Sequence, residues 1–122
     1  MSLNGDKIRI YPTIPLEEVF EYKYKKLTDN GNGIEAVLWV PEEGRNIRIS
    51  AIVISVTGLS EVEIRDFIAS ETIMFMSFNE RFSVPFSPPF LFSLPKNHSL
   101  SVKFTALQGT QDCHITVFGV EI

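Results

Sequence analysis

The sequence has little that would cross-link the chain or carry it into a membrane. Cys113 is the one cysteine among 122 residues, so an internal disulfide is excluded. Apolar runs such as residues 51–54 are only four residues long, whereas a membrane-spanning helix needs roughly 18. Residues 1–10 contain neither the apolar stretch nor the cleavage site of a signal peptide. We therefore expect a soluble protein without an export signal and without membrane insertion.

Positive charge is also in short supply. Eleven Lys and Arg stand against fifteen Asp and Glu, which gives a formal net charge of −4. A surface that neutralises phosphates has the opposite balance. One basic cluster, in which Lys23, Lys25 and Lys26 are interleaved with Tyr22 and Tyr24, has the composition of a single-stranded nucleic-acid groove. Three positive charges on an acidic protein are a small footprint, and we expect no nucleic-acid partner.

Groups that perform chemistry are few. Cys113 and His114 are adjacent, but neighbouring residues of a strand point to opposite faces, so they do not form a catalytic dyad. Two histidines and one cysteine would need carboxylates from distant strands to hold zinc. Glu61 and Glu63 share a strand face, which would suit glycoside hydrolysis, although an edge strand protected by charge explains them better. We expect no enzymatic activity, no metal and no cofactor.

What the sequence has in abundance is strand periodicity. Residues 99–107 alternate apolar and polar side chains, which predicts a strand with one face in water. Residues 46–57 form a β-rich stretch longer than an ordinary strand, so we expect a bulge near Ser50 and Ala51. Residues 113–122 are apolar on both faces, which indicates a strand buried on both sides or joined to a partner subunit.

Further alternating segments bring the total to about eight strands with almost no helix signal. Polar turns between them, at residues 30–33 and 108–112, are short enough for hairpins. Residues 16–27 fit both a helical and a strand period, and their aromatic content favours strand. The pattern predicts an all-β chain folded as an antiparallel, jelly-roll-like β-sandwich. Residues 16–122 would form this single domain, with residues 1–15 as a flexible arm.

An unusual combination of phenylalanine and proline occurs in residues 81–95, RFSVPFSPPFLFSLP. Because proline interrupts ladder hydrogen bonds, we expect this segment to wrap across an edge or end of the sandwich instead of pairing regularly. Its Phe side chains either cap the core or bury against another subunit. The candidate residues for a subunit interface are Phe86, Phe90, Phe92 and Phe118.

Two stretches together carry a family resemblance: residues 36–55, AVLWVPEEGRNIRISAIVIS, and residues 82–122, FSVPFSPPFLFSLPKNHSLSVKFTALQGTQDCHITVFGVEI. They contain, in order, a strand, a Pro and Gly turn, a long β stretch, a Pro-rich crossing, a strand, a polar loop and a closing strand. This order resembles short jelly-roll structural proteins of tailed bacteriophage particles, such as head-decoration, cement or fibre-tip components. The resemblance covers about half of the chain and includes no catalytic or binding signature.

The resemblance implies a non-enzymatic virion protein of a phage or prophage, assembled in the host cytoplasm. Such a protein would form a homo-oligomer, for example a trimer, and attach to a capsid or tail through other virion proteins. No cofactor follows from it. The alternative function is a carbohydrate-binding sandwich in which Trp39, Tyr22 or Tyr24 offers an aromatic platform to a sugar ring. Strand alternation places Trp39 on the same side as Glu35 and Val37, so the exposure of Trp39 discriminates between these functions.

Overall fold

The computed structural model describes residues 22–86 and 92–122. The expected arm at residues 1–15, and residues 16–21 of the ambiguous segment, lie outside the described residues. Residues 23–27 of that segment belong to a strand. The strands are β1 (Lys23–Asp29), β2 (Asn32–Trp39), β3 (Ile47–Val56), β4 (Ser60–Asp66), β5 (Glu71–Phe78), β6 (Phe82–Phe86), β7 (Phe92–Ser93), β8 (Leu100–Ala106) and β9 (Cys113–Glu121). None of the described residues belongs to a helix with the length and apolar character needed to cross a membrane.

The strands form two antiparallel sheets. The first sheet has the order β1-β9-β3-β6, with β7 also paired to β3, and the second has the order β2-β8-β4-β5. With β6 and β7 counted as one interrupted strand, the first strand pairs with the last, the second with the last but one, and so on inward. This nested pairing is that of one long hairpin rolled into two layers, which is a jelly roll. The predicted all-β sandwich is confirmed.

The connections differ from the prediction. Of consecutive strands in the described residues, β4 and β5 alone pair with each other. The turns at residues 30–33 and 108–112 each join strands of different sheets, so the predicted hairpins are wrong. Gly31 makes the first of these corners possible, because its φ is +88° and a Cβ there would lie 2.7 Å from the Cβ of Ala106. The positive φ and the close approach together favour glycine over any residue with a Cβ at this position.

The predicted bulge in the long β3 strand is confirmed. The pairing of β9 with β3 shifts between Phe118 and Gly119, which leaves Ser50 as the extra residue. The Ser50 hydroxyl donates to the Phe118 carbonyl oxygen at 3.1 Å. As a result Ile49 and Ile52, on either side of the bulge, are both fully buried. One strand therefore supplies the core along its whole length despite an irregular alternation.

The Pro-rich segment pairs more regularly than predicted. Residues 82–86 run opposite β3 without a register shift, and residues 92–93 pair with the same strand further along. The expectation that this segment avoids regular pairing is therefore wrong for both parts. β6 lies at the edge of the first sheet, where only one side of a strand carries ladder bonds, so the missing amide hydrogen of Pro85 is tolerated.

The core lies between the two sheets. It is built from inward residues of five strands, β2, β3, β4, β8 and β9, together with Leu94. Its largest fully buried members are Trp39, Phe104, Ile47, Ile49, Ile52, Ile54, Ile64, Leu94, Leu100 and Ile115. This two-layer packing makes each sheet a rigid support for the side chains on its outer face.

Candidate assembly surface

The outer face of the first sheet carries an apolar surface. Strand pairing places Tyr24, Phe118 and Ala51 in one row across three strands. The next row holds Val53 opposite Pro85, and the polar Thr116 and Lys26 continue that row on β9 and β1. Tyr24 is 60%, Val53 40% and Phe118 37% exposed. The rings of Tyr24 and Phe118 are tilted at 40° with centroids 6.3 Å apart, which is a favourable aromatic geometry. We name Tyr24, Phe118, Ala51, Val53 and Pro85 the outer patch.

Polar side chains border the outer patch on one side. The adjoining row contains Thr28 and His114, and the Thr28 hydroxyl lies 3.2 Å from Nδ1 of His114. Ser55 and Ser83 continue the same row on β3 and β6. Apolar side chains at the centre with polar side chains at the margin are the usual anatomy of a protein–protein interface.

The predicted interface residues are distributed differently from the expectation. Phe118 lies in the outer patch, whereas Phe92 is partly buried and packs against the core. Phe86 is paired with Ile52 on β3, and Phe90 lies outside the described residues. Sequence periodicity does not reveal Ala51, Val53 and Pro85 as their neighbours, because that grouping depends on the register between strands.

The residues predicted for a sugar platform are not brought together. Trp39 is 1% exposed, because the pairing of β2 with β8 skips one residue between Val37 and Trp39. This bulge turns Trp39 into the core, so the prediction that it shares a side with Glu35 and Val37 is wrong. Tyr22 and Tyr24 are 72% and 60% exposed. A platform at this place would consist of these two tyrosines without Trp39.

The indole of Trp39 is held by a nearly buried carboxylate at the end of β9. Its Nε1 donates to Oε2 of Glu121 at 2.8 Å, and the backbone N–H of Glu42 donates to Oε1 at 3.0 Å. Nζ of Lys23 lies 3.6 Å from Oε2 of Glu121. Burial by itself raises the pKa of Glu121, but the hydrogen bonds from Glu42 and Trp39 and the charge of Lys23 outweigh it and lower the pKa. Glu121 thus joins strands of both sheets.

Stability should therefore fall in acid through Glu121. Because its folded-state pKa is lowered, the carboxylate stabilises the fold above its ordinary pKa of 4.5, and the contribution is lost as pH falls through the folded-state value. E121Q should lower the urea midpoint at neutral pH and flatten its decline below about pH 4.5. E43Q, at the exposed position next to Glu42, should leave both unchanged. An acid decline that is as steep in E121Q as in the wild type would contradict this role.

The outer face of the second sheet carries an ion-pair network instead of an apolar patch. Nε of Arg65 lies 3.2 Å from Glu35, and its Nη1 lies 3.3 Å from Glu63. Thr72 donates to Glu63 at 2.6 Å. Hydrogen bonding from Thr72, followed by that from Arg65 and the charge of Lys103, lowers the pKa of Glu63 against the effect of burial. A carboxylate held in its ionised form is unsuited to act as a general acid.

The interpretation of Glu61 and Glu63 as protection of an edge strand is wrong. β4 lies between β8 and β5 in the second sheet, so these residues project from an interior strand. Glu63 is occupied by the network around Arg65. The sequence shows two carboxylates on one face, but not the cation and hydroxyl that neighbouring strands bring to them.

Cys113 and His114 diverge as predicted. Cys113 is buried, and that burial, with a smaller contribution from Asp29, raises the pKa of its thiol to about 12. His114 is exposed on the opposite face of β9. A thiol that stays protonated is a poor nucleophile. In residues 22–86 and 92–122, no group of three or more His, Cys, Asp or Glu side chains is placed to hold a metal ion.

No family model matches the chain, and no curated protein is a significant match. Among solved structures, a chain of the cyanophage Pam1 capsid asymmetric unit matches with a TM-score of 0.54 and 10% identity, covering 83% of this chain and 85% of that one. A Bacillus endospore appendage pilus matches at 0.43 and 8% identity over 83% and 88% of the chains. A virus-like particle of the Macrobrachium rosenbergii extra small virus matches at 0.31 and 12% identity over 83% and 80%. The first likeness shows a shared fold.

Proposed function

We propose that this protein is a non-enzymatic structural component of a virus particle, from a phage or prophage. In this proposal it assembles with copies of itself and with other virion proteins on a capsid or tail. The observation that carries the proposal is the nested jelly-roll order, together with a likeness in fold to a cyanophage capsid chain that covers 83% of this chain and 85% of that one. The likeness spans most of both chains. In this proposal the sandwich itself is therefore the unit that is repeated in the particle.

The titratable groups of the described residues support a role without catalysis. The carboxylates of Glu63 and Glu121 are engaged by hydrogen bonds and cations that hold them ionised. Cys113 is buried and protonated at neutral pH. These groups stabilise the sandwich where they stand, and they do not converge on a shared cavity in which a substrate would sit.

The outer patch supplies a surface for contact between subunits. Its side chains stand on the four paired strands β1, β9, β3 and β6 of a rigid sheet, so their arrangement is fixed before association and little conformational entropy is lost on binding. In a shell or ring, each subunit repeats the same contact, and weak contacts add through multivalency. A patch of modest area is therefore sufficient for assembly.

The assembly proposal is tested with the purified protein. Sedimentation velocity and negative-stain electron microscopy up to roughly 100 µM, above the dissociation constants of most specific interfaces, should show a discrete closed oligomer or a shell. A chain that remains monomeric over this range would overturn the proposal of self-assembly. Binding to a glycan array, with no self-association, would instead favour the carbohydrate alternative on Tyr22 and Tyr24.

Phe118 should be required for that oligomer. F118S removes the ring that packs against Tyr24 and should weaken subunit association at least about tenfold, which corresponds to about 1.4 kcal/mol. Light scattering after size-exclusion chromatography measures the shift to smaller mass. F67S is the matched control, because Phe67 is exposed to a similar degree outside the outer patch. Equal oligomer masses for F118S and the wild type would remove the outer patch from the interface.

A further inference from the structure

Within residues 22–86 and 92–122 the two sheets end in four edge strands, and three of these carry features in the middle of the strand that discourage pairing with another chain. β1 carries Lys23, Lys25 and Lys26, and β6 contains Pro85. β2 has register shifts at two places along its pairing with β8. Charged side chains, proline and bulges are the devices by which natural sheets protect their edges. The fourth edge, β5 of the second sheet, has neither lysine nor proline, and its single register shift lies near its start, at Ile73.

β5 is uncharged after its first residue, Glu71, and its regular part begins at Met74. Residues 72–79 carry no charge, and within the described chain β5 pairs on one side only, with β4. From Met74 to Phe78 that pairing has no register shift. The other side of the strand consequently presents a row of backbone N–H and C=O groups available to a further strand.

The side chains of β5 divide between the two faces of the sheet. Met74 and Met76 are partly buried and pack against the core, whereas Phe75 is 54% exposed on the outer face. Ser77 is also exposed on that face. A strand added beside β5 would cover the open flanks of both methionines and receive Phe75 against its own outward side chains.

We propose that β5 of one copy pairs antiparallel with β5 of a second copy across a two-fold axis. The two four-stranded sheets would then become one continuous sheet. Self-pairing is favoured because an isologous contact places each strand opposite itself, and the uncharged run puts no like charges opposite one another. The same operation at β1 would set lysines against lysines. In β5 it sets methionines against methionines over the core and Phe75 beside its symmetry mate.

This contact is separate from the outer patch, which lies on the other sheet. It deepens the proposed assembly role by naming a second place of self-association, and it rests on that role only in requiring that copies associate. The two surfaces can be tested independently. If β5 does not mediate association, F118S still tests the outer patch. If the outer patch does not mediate association, the β5 variants still test β5.

A charge placed on the β5 edge should prevent the pairing. F75K puts like charges near each other across the two-fold axis and should weaken dimer formation at least about tenfold in sedimentation equilibrium. V37K is the matched control, because Val37 is exposed on the opposite edge strand of the same sheet. S77K repeats the test at an exposed polar position where no apolar packing is lost, should F75K fold poorly.

Cysteine scanning gives a second measurement on the folded protein. Single cysteines at Met74, Phe75, Met76 and Ser77 should form intermolecular disulfides under mild oxidation, most rapidly at the position nearest the two-fold axis, where Cα atoms lie about 4.5–5.5 Å apart. The buried Cys113 should not compete. V37C should remain uncrosslinked.

The proposal is overturned if no β5 cysteine crosslinks faster than V37C, or if F75K and S77K both associate as strongly as the wild type. A wild-type chain that is monomeric throughout would overturn it as well. A crosslink at β5 together with a dimer weakened by S77K and not by V37K would support it.

Discussion

Replacing Gly119 with alanine should remove a large part of the stability of the fold. A Cβ at this position would press against the carbonyl oxygen of Arg48 and lie 3.2 Å from the Cα of Ile49. Both neighbours are backbone of β3 and cannot rotate away. The strands must therefore separate where β9 and β3 meet, at the centre of the first sheet. We expect a loss of roughly 3 kcal/mol or more in the free energy of unfolding, from a total of about 5–15 kcal/mol for a small domain.

Urea unfolding followed by fluorescence or circular dichroism measures this loss. G109A is the matched control, because Gly109 has a φ of +65° and nothing within 4 Å of a Cβ built there. G109A should lose only the cost of left-handed backbone, about 1–2 kcal/mol, which G119A does not incur because the φ of Gly119 is not positive. A G119A protein with the midpoint of the wild type would mean that β9 and β3 separate at little cost.

Replacing Trp39 with alanine should be comparably damaging. It empties the space of the largest buried side chain and takes one of the hydrogen-bond donors from the carboxylate of Glu121. Truncation of a buried tryptophan costs about 3–5 kcal/mol. W39F keeps most of the volume and loses the indole N–H, so it should cost about 1–2 kcal/mol.

The Trp39 variants also discriminate between the two functions weighed from the sequence. If Trp39 were a sugar platform, W39A would abolish glycan binding and leave the unfolding midpoint unchanged. The core position predicts the reverse, a lowered midpoint for W39A and a smaller decrease for W39F. Y22A, at an exposed position beside β1, is the control that should leave stability nearly unchanged.

The class of fold could be predicted from local patterns, because strand alternation is written in neighbouring residues. β4 alternates buried and less buried side chains through all seven positions, as the sequence pattern indicates. The bulge at Ser50 was also predictable, since residues 46–57 are too long and too apolar for one regular strand.

The pairing of strands could not be predicted in the same way. The sequence of a short turn, such as those at residues 30–33 and 108–112, does not indicate where the next strand goes. That strand can pair with its predecessor in a hairpin or cross to the other sheet. Only the register of distant strands decides it, as at Gly31 against Ala106. The same limit applies to the outer patch, because Tyr24, Phe118 and Ala51 are far apart in sequence and become neighbours through β9. The inward orientation of Trp39 depends on a bulge in the pairing of β2 with β8, and the sequence of β2 contains no signal for that bulge.

The position of β9 between β1 and β3 has a consequence for how the protein is made. Both flanking strands leave the ribosome well before it, since β3 ends at residue 56 and β9 begins at residue 113. At roughly 5–20 residues per second, translation takes several seconds to cover that interval. During this interval β1 and β3 lack the strand that pairs with both of them. Their apolar, core-facing side chains are then exposed to other nascent chains. Production of this protein should therefore benefit from slower growth or from chaperones that hold the unfinished polypeptide.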